Sequence, residues 1–381
     1  MRFFLALLSA VLLAPPLLLA QASGAKTLDI YFIDVEGGQA TLYVSPDGES
    51  VLVDTGFPGE RDNQRIIAAL QAAGVTQIDY LVTTHYHGDH MGGLLELARR
   101  VPIRHYVDHG PSVERGEQTV AFEGEYAPLH GNALRTVARP GDRLPVAGLD
   151  WRIVASAGEV VQVPLPGAGA ANAACPAARP EDRPGENPQS VGSVVSYGRF
   201  RTINLGDLPA GGEFDLVCPI DRIGLVDLYL TSHHGLSDAG NEMLLHAVRP
   251  RAAVMNNGPR KGGTPEALQR LYSAAGLEDV WQLHWSHHAG IEYNAPGLFI
   301  ANLDDPGSLA AVVASSAGET AESAATGEHP GAAYLIKVSA LPDGTFTITN
   351  SRNGFSKTYS GQPQARVQPE AGSTPADGPG R

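Results

Sequence analysis

The chain has 381 residues, 43% of them hydrophobic and 18% charged, and a formal net charge of −14. That hydrophobic share is ordinary for a globular core. The acidity opposes a nucleic-acid partner, since like charge repels a phosphate backbone instead of steering it in.

At the N-terminus, Arg2, the apolar stretch from Phe3 to Leu19 and then Ala20-Gln21-Ala22 read as a basic n-region, an h-region and an A-x-A cleavage site. We therefore expect a signal peptide over residues 1–22 and a periplasmic or secreted product. The competing reading is a membrane anchor, but Pro15-Pro16 interrupts the stretch and no basic stop-transfer cluster follows it. No stable membrane insertion is expected after cleavage.

Strands are predicted at Leu28–Asp34, Ala40–Val44 and Val51–Asp54, then a helix over Asn63–Ala73 with a Gly74 stop. A strand over Ile78–Thr83 leads into His85-Tyr86-His87-Gly88-Asp89-His90, and a helix over Met91–Arg100 follows. Further strands fit Ile103–Asp108, Leu134–Val137, Trp151–Ala155, Val191–Tyr197 and Arg201–Leu205. Strand Leu225–Thr231, helix Asn241–Val248, strand Ala252–Asn256, helix Pro265–Ala275 and strand Val280–Leu283 then alternate, and late strands fit Ala333–Val338 and Phe346–Thr349. Such mixing predicts a layered α/β fold. Residues Pro164–Pro188, Gly307–Gly331 and the tail after Gly361 read as irregular, the tail as disordered. The domain plan is thus 1–22 signal, 23–360 catalytic domain and 361–381 tail.

The H-x-H-x-D-H run carries the chemistry. Ligands two residues apart on extended chain point the same way, so His85 and His87 can serve one divalent ion while Asp89 and His90, across Gly88, serve a second. Cys175 and Cys218 are an even pair in an exported chain, which predicts a disulfide between them. Between a strand and a helix, Arg260-Lys261-Gly262-Gly263-Thr264-Pro265 places two cations before an N-cap and reads as an anion pocket, with an ordinary basic loop as the alternative. His109 is a candidate pocket residue, whereas His284, His287 and His288 read as a packed or exposed loop.

Leu52-Val53-Asp54-Thr55-Gly56, His85 to Gly93, Asn204-Leu205-Gly206-Asp207 and Ser232-His233-His234-Gly235 occur in an order that resembles the metallo-β-lactamase-fold hydrolases, and within them the ComEC-like branch. The resemblance runs from about Leu28 to Gly276. It implies a four-layer αββα sandwich of two mixed sheets flanked by helices, with a dinuclear metal centre at one edge. Asp207 is then the bridging carboxylate, His233 the last ligand of the second ion, and His234 a neighbour for substrate contact or proton donation, although spacing leaves open which of the two histidines binds metal. Asp54 supports the metal loop. Many relatives place a third histidine of the first ion just before the strand that begins here at Val191; this chain has Asn187 and Ser190.

The expected function is an exported dinuclear hydrolase, holding zinc or else manganese, that cleaves a small phosphodiester or related ester through a hydroxide shared by the two ions. Asp89 and His234 are the catalytic candidates and Arg260 and Lys261 the substrate-binding ones. A β-lactam or lactone hydrolase, a nuclease and a metal-stabilised binding protein are the alternatives.

Overall fold

The computed structural model describes residues 26–131, 133–303 and 333–362. The expected signal peptide, the Gly307–Gly331 segment and the tail from residue 363 lie outside them. Among the described residues no helix is long and apolar enough to cross a membrane.

In chain order the first sheet begins with β1 (Leu28–Phe32), β2 (Thr41–Val44), β3 (Ser50–Val53), β4 (Ile78–Val82), β5 (Ile103–Asp108) and β6 (Leu134–Val137). The second holds β7 (Arg143–Leu144), β8 (Asp150–Ser156), β9 (Glu159–Val160), β10 (Gly192–Tyr197), β11 (Phe200–Asn204), β12 (Leu228–Leu230), β13 (Ala252–Met255), β14 (Asp279–His284) and β15 (Ile300–Asn302). The chain then returns to the first sheet with β16 (Ile336–Ala340), β17 (Phe346–Asn350) and β18 (Ser356–Tyr359). The orders are β18-β17-β16-β1-β2-β3-β4-β5-β6 and β15-β14-β13-β12-β11-β10-β8-β7, with β9 beside β8. Both sheets mix parallel and antiparallel pairs, and β16 locks onto β1 with Leu28 opposite Ala340.

Three apolar layers define the architecture. Leu28, Ile30, Phe32, Val51 and Val53 meet Trp151, Phe200, Leu228, Val254 and Trp281 between the sheets. Alternate residues of the same strands, such as Tyr31, Leu52 and Leu81, face outward under helices α1 (Glu60–Ala72), α3 (Leu94–Arg100) and α4 (Glu117–Tyr126). On the other side Ile203, Tyr229 and Met255 pack under α5 (Ala210–Val217), α6 (Glu242–Val248) and α7 (Pro265–Ser273). Strands apolar on both faces are what a sheet sandwiched between a helix layer and a second sheet requires. The four-layer αββα arrangement therefore agrees with expectation.

The boundaries differ in instructive places. Instead of one helix over Met91–Arg100 there is a short turn α2 (Gly88–Met91), then Gly92-Gly93, then α3. A Cβ on Gly92 would lie 2.4 Å from Pro58 N, and one on Gly93 2.4 Å from the Thr55 carbonyl oxygen. The metal loop thus presses against the loop after β3, which only glycine permits. The stretch Pro164–Pro188 is irregular, as composition suggested, but it is stitched to 217–222 by backbone bonds such as Leu165 N to Arg222 O at 2.9 Å and Gly169 N to Asp221 O at 2.8 Å.

Candidate metal centre

The site lies beyond the ends of β3, β4, β11 and β12. His85 and His87 follow β4; Asp89 and His90 lie in α2; Asp207 follows β11; and His233 and His234 occupy the turn after β12. Among the described residues, ligand atoms of Asp89, His90, Asp207 and His234 all lie within 4.8 Å of one another. His90 Nε2 is 3.3 Å from Asp89 Oδ2 and 3.2 Å from Asp207 Oδ2, and His234 Nε2 is 3.1 and 3.4 Å from the same two atoms. The other half of the site is more open. His85 Nε2 faces His87 Nδ1 at 3.1 Å and Asp207 Oδ2 at 3.8 Å. Asp207 thus stands between the two halves.

The histidine pair differs from expectation. His234, not His233, completes the compact group; His233 Nε2 lies 3.5 Å from Asp207 Oδ2 and 3.4 Å from Asn187 Nδ2, toward the open half. The cause is the backbone. Both residues adopt left-handed conformations, φ 48° and 55°, and both consecutive imidazoles reach Asp207 Oδ2, with ring centroids 6.0 Å apart. Left-handed geometry at two consecutive non-glycine residues costs energy and is typical of functional sites.

Four of the five imidazoles have a partner on the outer nitrogen. His90 Nδ1 donates to Asp54 Oδ2 at 2.8 Å, His233 Nδ1 to Asp238 Oδ1 at 2.7 Å, and His87 Nε2 to Glu114 Oε1 at 3.4 Å. The Thr84 hydroxyl donates to Asp54 at 2.7 Å and turns its lone pairs to His85 Nδ1 at 3.1 Å. A proton held on the outer nitrogen leaves a lone pair on the inner one, the condition for ligating a metal. Asp54 is therefore a supporting residue rather than a simple turn residue. Ser190 Oγ accepts from Asp207 N at 3.2 Å, fixing the bridge's backbone.

Burial opposes charge throughout the cluster. Nevertheless Lys261 and His90 hold the Asp89 carboxyl well below its ordinary range, and His90, His234 and His233 do the same for Asp207. Burial and the neighbouring His90 push His85 well down, whereas Asp207, Asp89 and Asp54 outweigh burial and push His90 well up. Burial raises Asp54 itself. Asp207 Oδ1 and His234 Nδ1 are buried with no hydrogen-bond partner. Two ionised carboxylates, converging imidazoles and an unsatisfied carboxylate oxygen are a donor set that fits divalent cations.

Lys261 pairs with Asp89, its side chain 21% exposed and its ammonium 5.3 Å from the centroid of the Phe57 ring. It therefore stands at the metal centre itself. The Arg260 carbonyl accepts from His288 Nε2 at 2.7 Å, and Thr264 Oγ1 caps α7 through Ala267 N at 3.4 Å. His284 is buried and donates to Asp34 at 2.6 Å, joining β14 to the end of β1, so it belongs to the packing as expected. His109 is buried behind the metal loop against Glu186. Sequence reasoning missed Glu186, Glu114 and Asp238, exposed-looking acids in loops whose only signal is tertiary. Cys175 and Cys218 lie at disulfide distance, Cα to Cα 5.7 Å.

Residues 33–173 match the family model of the metallo-beta-lactamase superfamily. The chain is 31% identical over 112 residues to the Coenzyme F420H(2) oxidase of Methanothermobacter marburgensis, covering 25% of this chain and 28% of that one. It is 36% identical over 63 residues to a UPF0173 metal-dependent hydrolase of Staphylococcus saprophyticus, 16% of this chain and 25% of the relative. To Recombination protein 2 of Haemophilus influenzae it is 24% identical over 268 residues, 69% of this chain and 29% of that one. The chain thus spans little more than a quarter of these relatives' lengths. A solved metal-dependent hydrolase of the beta-lactamase superfamily superposes with a TM-score of 0.39 at 14% identity, covering 67% of this chain and 95% of that one. The matching segment 33–173 carries the H-x-H-x-D-H loop, and two mixed sheets between helix layers accord with the metallo-beta-lactamase fold.

Proposed function

We propose that the protein is an exported hydrolase that works with two divalent ions, zinc or else manganese, and cleaves ester-type bonds, phosphodiesters foremost. The observation that carries this reading is the convergence of His85, His90, His233 and His234 on Asp89 and Asp207, with the outer nitrogens of His85, His90 and His233 tied to Thr84, Asp54 and Asp238. His85, His87 and Asp207 would hold one ion; Asp89, His90, His234 and Asp207 the other. Bound there, divalent ions polarise a substrate oxygen and bring water's pKa toward neutrality.

The chain's own groups supply the rest. Lys261 sets a positive charge beside Asp89, where an anionic group of the substrate binds, with Arg260 from the same loop. With His234 fully buried in the compact group, His233, whose side chain is 14% exposed, is the imidazole with access to a leaving group. The proton-donor role first given to His234 accordingly passes to His233, whose Nε2 has a proton to give in the imidazolium form, which burial opposes but Asp207 and Asp238 favour. Export rests on the N-terminal pattern and on the cysteine pair.

The alignment with Recombination protein 2 extends over 69% of this chain and supports a place near the ComEC-like branch. That favours a nuclease as the second reading, and the net charge of −14 opposes it. The test is a panel of bis-nitrophenyl phosphate, a chromogenic cephalosporin, and single-stranded and duplex DNA, with metal content measured on the same preparation. We expect turnover of the phosphodiester that chelation and Asp207→Ala each abolish while circular dichroism stays unchanged. Inertness toward the whole panel with two ions bound would reject a hydrolase acting on these bonds.

A further inference from the structure

Among the buried acids of the described residues, Glu186 lies behind the metal loop without a role assigned so far. Glu186 is 1% exposed and lies beyond the matched segment 33–173, yet its carboxylate accepts from four groups behind the metal loop. Oε2 accepts from Tyr86 N at 3.1 Å and His109 Nε2 at 2.9 Å; Oε1 accepts from the Ser112 hydroxyl and from Val113 N at 2.8 Å.

Each bond leads to one side of the same half-site. Tyr86 separates His85 from His87, so its amide fixes the backbone that aims both imidazoles. Ser112 Oγ in turn accepts from Glu114 N at 3.1 Å, and Glu114 meets His87 Nε2. Glu114 Oε1 would lie 3.1 Å from a Cβ on Gly185, so this carboxylate packs against the segment carrying Glu186. Asn187, the next residue, faces His233 Nε2 at 3.4 Å. His90 in the other half-site is held by Asp54 and Thr84, with no hydrogen bond to Glu186, although Thr84 also meets His85 Nδ1.

We infer that Glu186 is a positioning residue for one of the two ions only, the one held between His85 and His87. It contacts neither ion nor substrate. It acts by holding three loops in register around the open half of the site, whose histidines lie in the connection after β4. The inference rests on the two-ion reading above. Partners behind metal ligands typically change affinity by about 10- to 100-fold when removed.

The test is zinc binding to the full chain, by competition with a chromophoric chelator and by metal analysis after desalting, in wild type, Glu186→Gln and Ser112→Ala. Circular dichroism of the metal-free proteins reports folding. We expect two ions in the wild type, with Glu186→Gln losing one of them or binding it at least about tenfold more weakly and keeping the other unchanged. Ser112→Ala, which retains the carboxylate, should show the same one-ion effect at smaller size, and it decides the matter if Glu186→Gln does not fold. Unchanged affinity for both ions in the folded variants overturns the inference and leaves the two-ion reading standing. Equal weakening of both ions also overturns it. Fewer than two ions in the wild type overturns the two-ion reading and this inference with it.

Discussion

Replacing Asp54 by Asn isolates how much an outer carboxylate contributes to the compact half of the metal centre. Asp54 accepts at 2.7 Å from Thr84 N on Oδ1, and on Oδ2 from the Thr84 hydroxyl at 2.7 Å and His90 Nδ1 at 2.8 Å. The Thr84 amide must keep an acceptor, so an asparagine would leave its NH2 facing His90. That group donates, which drives the His90 proton from Nδ1 to Nε2, the nitrogen turned toward Asp89 and Asp207. The imidazole would then have to pay a tautomer shift before ligating. We expect the ion at His90 to bind about 10- to 100-fold more weakly, about 1.4–2.7 kcal/mol. The backbone does not confound the result, because Asp54 sits at φ 62° and asparagine accepts that left-handed region well. Chelator competition on purified Asp54→Asn measures the effect. Binding of both ions as tight as in the wild type would refute the tautomer argument; weakening of the ion at His85 and His87 alone would misplace it.

Three further outcomes are expected. Opening the Cys175–Cys218 bridge, which spans 43 residues, should lower stability by about 4 kcal/mol on the chain-entropy account, read from urea unfolding with and without reductant. An unchanged midpoint would refute the chain-entropy account for this bridge. Asp34 is buried and burial raises its pKa, but His284 and Arg65 more than reverse this and hold the carboxyl below its ordinary value. A folded-state pKa lowered in this way stabilises the protein above the unfolded carboxyl's value of about 4, and the contribution is lost as pH falls below it. Asp34→Asn should therefore be less stable near neutrality and lose less on acidification; an acid limb as steep as the wild type's would contradict this. Lys261→Met should raise KM for an anionic ester far more than it lowers kcat, and an unchanged KM would remove Lys261 from substrate binding.

Much of the site was legible because its densest part is local. His85, His87, Asp89 and His90 sit in six consecutive residues at a strand end, so strand and turn geometry alone bring them together. Strands such as β1, β3 and β4 were legible for a related reason: both of their faces are covered, and they read as mostly apolar runs. Helix α5 was not, since Gly211-Gly212 depress its local preference and packing on the second sheet supplies what propensity lacks. The two-residue strands β7 and β9 carry no period to detect.

The division of His233 and His234 between the two halves of the site is a different matter. It depends on two left-handed residues and on Asp238, and no spacing rule distinguishes adjacent imidazoles. Glu186 lies 100 residues from the amide it holds, within a stretch that composition reads only as irregular. The ligand types and their nearest neighbours were thus written in short-range order, which a chain carries before it folds. Which nitrogen faces inward, which carboxylate stands behind it and where Lys261 rests were decided when two sheets and their loops closed on one another, because those contacts join segments that only packing brings within hydrogen-bond reach.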